Sequence, residues 1–149
     1  MPITSITRIS TAADGTQGNS NCFDPVFSPD GTKVAFWSNA SNLVPGDTNG
    51  SADIFIKTLA TGAIERISTN AAGAQGTSTS VYPDFSPDGT RVAFNSFASN
   101  FVSGDTNFNF DIFVKNLTTG AIERISTNAA GAQGDGGGSS EVHPAFSPD

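Results

Sequence analysis

One stretch of this chain is written twice without change. Residues Ile64 to Gly76 read IERISTNAAGAQG, and the same letters return as Ile122 to Gly134. A worn copy runs from Ile6 to Gly18. The motif FSPDGT at Phe27 to Thr32 recurs at Phe85 to Thr90, and Phe146 to Asp149 begins it a third time. The register is 58 residues, marked by Arg8, Arg66 and Arg124. A fixed period of this size means an array of like supersecondary units. What every copy shares builds the unit, so unique chemistry belongs where the copies differ.

The units read as all-β. Short β-branched and aromatic runs alternate with Gly, Asn, Ser and Thr, and no long stripe of helical period occurs. Four runs make one unit. Asp24 to Phe27 is the first. Ser28-Pro29-Asp30-Gly31 is a tight turn in which Pro presets φ and Gly accepts a positive one. Lys33 to Trp37 is the second run, and a long loop from Ser38 to Ala52 leads to the third, Asp53 to Lys57. A turn at Ala60-Thr61-Gly62 gives the fourth, Ala63 to Ser68. Four antiparallel strands joined in sequence form one blade of a β-propeller. The second run is apolar on both faces, Val34 and Phe36 on one, Ala35 and Trp37 on the other, as a sheet stacked between sheets requires. The fourth carries Glu65, Arg66 and Ser68, fitting an outer, wetter strand.

The motifs PxFSPDGxxVAF, DIFxKxLxTG and a following Ile-Ser-Thr strand resemble the TolB-type, WD40-like (PD40) β-propeller repeat, over nearly the whole chain. The resemblance implies a periplasmic or extracellular binding module, or the non-catalytic cap of a serine peptidase. The loop Ala40 to Gly50 is longer than in the commonest TolB blade and is similar to a long-repeat bacterial subgroup. Fold alone does not choose among these roles.

Counted by type, the strands are a lone fourth strand at Ile6 to Thr11, full blades at Phe23 to Thr69 and Val81 to Thr127, and a lone first strand at Val142 to Phe146. The expected boundaries are 1–22 (outer strand of a preceding blade and linker), 23–80 and 81–138 (blades), and 139–149 (first strand of a following blade). A closed ring takes about four to eight blades. The chain therefore reads as an incomplete propeller, a segment of a longer protein whose remaining blades are its first partners. Its open edges and uncovered blade face would invite aggregation in isolation.

Charge and composition narrow the partners. The net charge is -7, and all seven basic residues fall in three repeat columns (Arg8/Arg66/Arg124, Lys33/Arg91, Lys57/Lys115), so no basic patch exists for nucleic acid or anionic membrane. No apolar run approaches the roughly 18 residues of a membrane span. Repeat sequence begins at Ile6, so no signal peptide is expected within this chain; if Met1 is a cut point, the signal would lie upstream. The single cysteine, Cys22, excludes an internal disulfide.

Two residue sets carry candidate chemistry. In the long loop Asp47, Asn49, Ser51 and Asp53 stand at alternate positions, repeated as Asp105, Asn107, Asn109 and Asp111. Alternate oxygens on a turning loop suit calcium, and Asp47 to Gly50 imitates the start of an EF-hand loop. Against this, the twelfth position is Thr58 or Asn116 rather than Glu, and Gly50 becomes Phe108. Any such site would be weak, on the order of 10⁻⁴ to 10⁻³ M. The alternative reading gives Asp47 and Asn49 to Asx-turns and Asp53 to loop backbone N–H groups. The second set is the first strand, which lines the channel of a propeller. There the copies differ: Cys22, Ser80 and Glu141; Asp24, Tyr82 and His143; Val26, Asp84 and Ala145. Polar, aromatic and titratable types in one channel column are what a ligand surface uses. Trp37 against Asn95 and Asn39 against Phe97 form a second variable pair, with Trp37 read as packing between blades.

Catalysis finds no support. His143 is the only histidine and no Gly-x-Ser-x-Gly elbow exists. Cys22 has no basic neighbour to activate it, and no His/Cys cluster would hold zinc. The expectation is a non-catalytic module without a resident cofactor, calcium excepted, that binds a protein or a small extracellular ligand. The alternatives are a peptidase cap and a calcium-stabilised structural repeat of a surface protein.

Overall fold

The structure, a computed structural model, describes residues 6–134 and 143–148. Eight strands are present: β1 (Cys22–Phe27), β2 (Lys33–Ser38), β3 (Asp53–Thr58), β4 (Ile64–Arg66), β5 (Ser80–Phe85), β6 (Arg91–Ser96), β7 (Asp111–Asn116) and β8 (Ile122–Arg124). They form two four-stranded antiparallel sheets, ordered β1-β2-β3-β4 and β5-β6-β7-β8. The fold is all-β, with two blade-type meanders that do not close into a ring. No helix among the described residues is long and apolar enough to cross a membrane.

The 58-residue register survives in detail. Gly31 N–H and Gly89 N–H each donate at 2.8 Å to the carbonyl three residues back, with φ of 68° at both glycines. The turn aspartates hold these hairpins. Asp30 accepts from the Ser28 hydroxyl and the Thr32 N–H, and Asp88 from Ser86 and Thr90. Led by the serine hydroxyl, these donors hold both carboxyls down at about 2. A folded value below the unfolded 3.8 means that the unfolded chain binds the extra proton between the two. The turns' contribution is therefore complete above 3.8 and is lost as pH falls toward 2. A denaturant midpoint measured from about pH 4 down to about pH 2 is expected to drop, and to drop less in an Asp30→Asn/Asp88→Asn double variant.

The fourth strands are shorter than expected. The ladder between β3 and β4 continues for one bond, Ile67 N–H to the Ile54 carbonyl at 2.9 Å. Then a side chain takes over, because Ile54 N–H donates to Ser68 Oγ at 3.1 Å. The flanking segments carry no ladder either. Ile6 to Thr11 contains only the isolated bridge between Thr11 and Gln17, and 143–148 contains no strand. Ile9 packs against a core that includes Val34 and Phe36, and Phe146 is held by Asp84 of β5, but neither segment pairs its backbone into a ladder with a described strand. Val142 lies outside the described residues.

The sheets stack head to tail. Ala35, Ile54 and Ile56, with Trp37 packed beside them, form one core with Val92, Phe94 and Phe113 of the second sheet and Phe101 of its long loop. The alternate face, Val34, Phe36, Leu43 and Phe55, forms a second core that packs against Ile9 of the worn repeat. The alternation read from the sequence thus sorts residues between two cores. At the far side the second sheet ends uncovered: Ile67 is 4 % exposed, whereas its counterpart Ile125 is 49 % exposed.

A buried lysine joins each unit to the one before it. Lys115 Nζ donates to the Thr69 carbonyl at 2.9 Å, to Thr69 Oγ1 and to the Asn70 carbonyl. Lys57 repeats this on Thr11 and Ala12. Burial lowers the pKa of both ammonium groups. Among the strands β1 and β5 approach each other, while β4 and β8 do not touch. The first strands therefore mark the inner edge of the stack and the fourth strands its outer edge.

Candidate functional site

The inner edge is kinked twice at matching places. Between Phe23 and Val26 the pairing of β1 with β2 slips, and between Val81 and Asp84 that of β5 with β6 does the same. Asp24 and Tyr82 sit in these bulges with φ of 48° and 58°. Non-glycine residues at positive φ are uncommon, and a bulge re-aims the side chain that it carries. Here it lifts the variable residue before each proline to one surface.

That surface is a row of rings. Phe23 stacks on Trp37 with centroids 4.2 Å apart, Tyr82 meets Trp37 edge-on at 6.3 Å, and His143 lies 3.9 Å from Tyr82. The Trp37 indole N–H donates to Asp24 Oδ2 at 2.7 Å. Asp24 and His143 are exposed, Trp37 and Tyr82 half-buried, and Phe23 is 38 % exposed. Asp24, Tyr82 and His143, expected in one column, are brought together. Phe23 was not among the expected residues. The left-handed residue that follows it breaks strand alternation and puts both side chains on one surface, and the only trace in the sequence is the adjoining proline.

The rest of the column points elsewhere. Cys22 Sγ donates to Ser38 Oγ at 3.2 Å, and the buried hydroxyls of Ser80 and Ser96 are paired at 2.9 Å. Asp84 Oδ2 accepts the Phe146 N–H at 3.0 Å and so holds the 143–148 segment against the sheet. Glu141 lies outside the described residues. The second variable pair resolves differently. Phe97 packs on Phe110 with centroids 5.5 Å apart. Phe108, 78 % exposed, takes a φ of 53° where the first copy has Gly50.

The loop carboxylates are also brought together, around nitrogen. Gln75 Nε2 donates to Asp47 Oδ1 at 2.9 Å and to Asp53 Oδ2 at 2.7 Å. Ser68 Oγ donates to Asp53 Oδ1 at 2.6 Å. Arg66 Nη1 stands 3.6 Å from Asp47 Oδ1 and 3.7 Å from Asp53 Oδ2. Asn49 turns its amide nitrogen toward Asp53, and its Oδ1 accepts the Ser51 N–H in an Asx-turn. Asp53 is engaged by side chains, not by loop backbone. In the second copy Arg124 stands 3.4 Å from Asp105 and 3.6 Å from Asp111, and Ser126 donates to Asp111. Asn107 turns toward Asp111, and its Oδ1 accepts the Asn109 N–H. Burial is the first cause that raises the pKa of Asp53 and of Asp105. A raised carboxyl lowers stability as pH climbs above 3.8, the opposite sign to the turn aspartates and a different window.

In this arrangement donors engage Asp47 Oδ1 and both oxygens of Asp53, and a guanidinium stands against the two carboxylates of each copy. Among the described residues no three Asp, Glu, His or Cys side chains gather as a metal set. The melting midpoint is expected to be the same with chelator and with about 5 mM calcium, a level above the weak range such loops reach. A rise of several degrees would show that calcium displaces Arg66 and Arg124.

No family model matches the chain, and no curated protein matches it. Several solved structures are similar. TolB from Acinetobacter baumannii matches at 27 % identity and a TM-score of 0.46, over 71 % of this chain and 21 % of that one. The β-propeller domain of the Trilobed protease from Pyrococcus furiosus matches at 20 % identity and a TM-score of 0.47, over 71 % of this chain and 27 % of that one. Acylaminoacyl peptidase from Pyrococcus horikoshii matches at 21 % identity and a TM-score of 0.45, over 71 % and 13 %. The chain thus spans less than a third of the length of each of these structures.

Proposed function

We propose that the chain is a non-catalytic binding segment of a larger envelope or extracellular protein, and that its ligand lies on the aromatic row at the inner edge. One observation carries this reading. Residues at which the copies differ, Asp24, Trp37, Tyr82 and His143, form one continuous and partly exposed row spanning both sheets. Equivalent positions of stacked repeats adjoin in any case; what supports binding is the residue types found there, rings in contact across two sheets beside a carboxylate, which form a platform. The compartment follows the resemblance of the repeat to TolB-type blades.

The chain contains one tryptophan, so emission from Trp37 reads the platform directly. The test is a panel of capped hexapeptides of acidic, neutral and basic composition. A saturable change with any member, lost in Tyr82→Ala while circular dichroism is unchanged, supports the reading. No saturable change from the whole panel up to about 1 mM, roughly 4 kcal/mol of affinity, overturns it.

A further inference from the structure

The aromatic row has a charge character, and it rests on the binding reading above. Asp24 is an exposed carboxylate fixed at the edge of the Trp37 ring by the 2.7 Å bond from the indole N–H. Among the described residues no lysine or arginine forms an ion pair with Asp24.

The reason is the use to which the cations are put. Lys57 and Lys115 are turned inward onto backbone carbonyls. Arg66 and Arg124 serve the loop aspartates. Arg91 lies 5.7 Å from the centroid of the Phe146 ring. Lys33 starts β2, at the opposite end of the strand from Trp37. Of seven basic residues, five are therefore committed to the fold, and the net charge is -7. The surface that remains is acidic, and it attracts cations toward the row.

At the row itself two physical terms favour the same ligand. An aromatic ring presents a negative face, and a cation within about 6 Å of the centroid is attracted to it. The Asp24 carboxylate adds a full negative charge beside the same rings. A neutral ligand gains only the apolar area, and an anionic one meets repulsion from both. We infer that the row formed by Phe23, Asp24, Trp37, Tyr82 and His143 selects a cationic group, specifically the guanidinium or ammonium of a basic segment in a protein partner. Arginine is the better fit, because its planar guanidinium stacks on a ring while it pairs with a carboxylate.

The experiment compares three capped hexapeptides of alternating glycine with arginine, citrulline or glutamate, read through Trp37 emission in the 149-residue chain. Citrulline keeps the shape of arginine and removes its charge. The arginine peptide is expected to bind about five- to thirty-fold more tightly than the citrulline peptide. That preference is expected to shrink as salt rises from low ionic strength toward about 0.5 M. In Asp24→Asn, which keeps an acceptor for the indole N–H, the arginine preference is expected to fall while the citrulline affinity stays. Equal affinity for arginine and citrulline would overturn the cationic selection and leave the binding reading standing. So would tightest binding of the glutamate peptide. No saturable response from any of the three, or from the wider panel, would sink both.

Discussion

Asp53→Ala is expected to destabilise the chain by about 3 kcal/mol, because it strips buried donors of their acceptor and removes one of the two carboxylates that face Arg66. Asp53 is fully buried and gathers Ser68, Gln75, Asn49 and Arg66 from three parts of the repeat. Without it the Ser68 hydroxyl and the Gln75 amide lose their acceptor, and Arg66 keeps only Asp47 and the Gly46 carbonyl. Asp53→Asn is expected to cost less. Burial raises the Asp53 pKa, so the site favours the charge less than water does, and a neutral amide of the same shape costs less than outright removal of the carboxylate. The second copy also shows how the amide adapts: Gln133 presents Oε1 to Arg124 Nη1 at 2.8 Å instead of sharing Nε2 between aspartates. Guanidinium denaturation followed by Trp37 emission measures both variants. Equal losses for alanine and asparagine would show that the ionic partner, not the hydrogen bonds, sustains the loop.

Gly76→Ala is expected to cost about 2 kcal/mol, in the range of overpacked cores. A Cβ at Gly76 would stand 2.7 Å from Phe101 Cζ and 2.9 Å from Cε1. Phe101 cannot swing away, since Phe94 and Phe113 hold it edge-on at 5.8 and 5.1 Å. At the matching Gly18 the nearest atom is Leu43 Cδ2 at 3.2 Å, the end of a flexible chain. Gly18→Ala is therefore expected to be the milder change. Phe101→Leu should rescue part of the loss in the Gly76→Ala background, and a double-mutant cycle on melting midpoints would measure the coupling. Additive losses would mean that the clash is relieved by backbone movement in the linker.

Strand positions were legible because each depends on neighbours in sequence. Val34 and Phe36 against Ala35 and Trp37 require only a period of two, and the Ser28 to Gly31 turn requires only local φ. The fate of the loop aspartates was not legible in the same way. Alternate oxygens from Asp47 to Asp53 satisfy a calcium loop and an ion-pair loop equally. In the structure Arg66 and Gln75 stand against these oxygens, and they arrive from the fourth strand and the linker beyond it. The aromatic row was half legible. Repeat alignment placed Asp24, Tyr82 and His143 in one column. Phe23 joined them only because a left-handed residue beside a proline broke the alternation, and Cys22 and Ser80 left for the hydroxyls of Ser38 and Ser96. The outer strands were overestimated because composition cannot show that Ser68 replaces a ladder bond with its side chain.

The inward-turned lysines make each junction between units chemically addressable. An amine acylated by a reagent must first be free, and the Lys57 and Lys115 amines are each bound to three oxygens of the preceding repeat. Lys33 lies half-buried at the start of β2, and among the described residues no hydrogen bond from its amine to the preceding repeat is found. In the folded chain a slow acylating agent should therefore mark Lys33 first. The lag before Lys57 and Lys115 react is then a clock for how often each unit parts from its neighbour, so two residue-resolved labelling rates would tell whether the array opens as one body or one joint at a time.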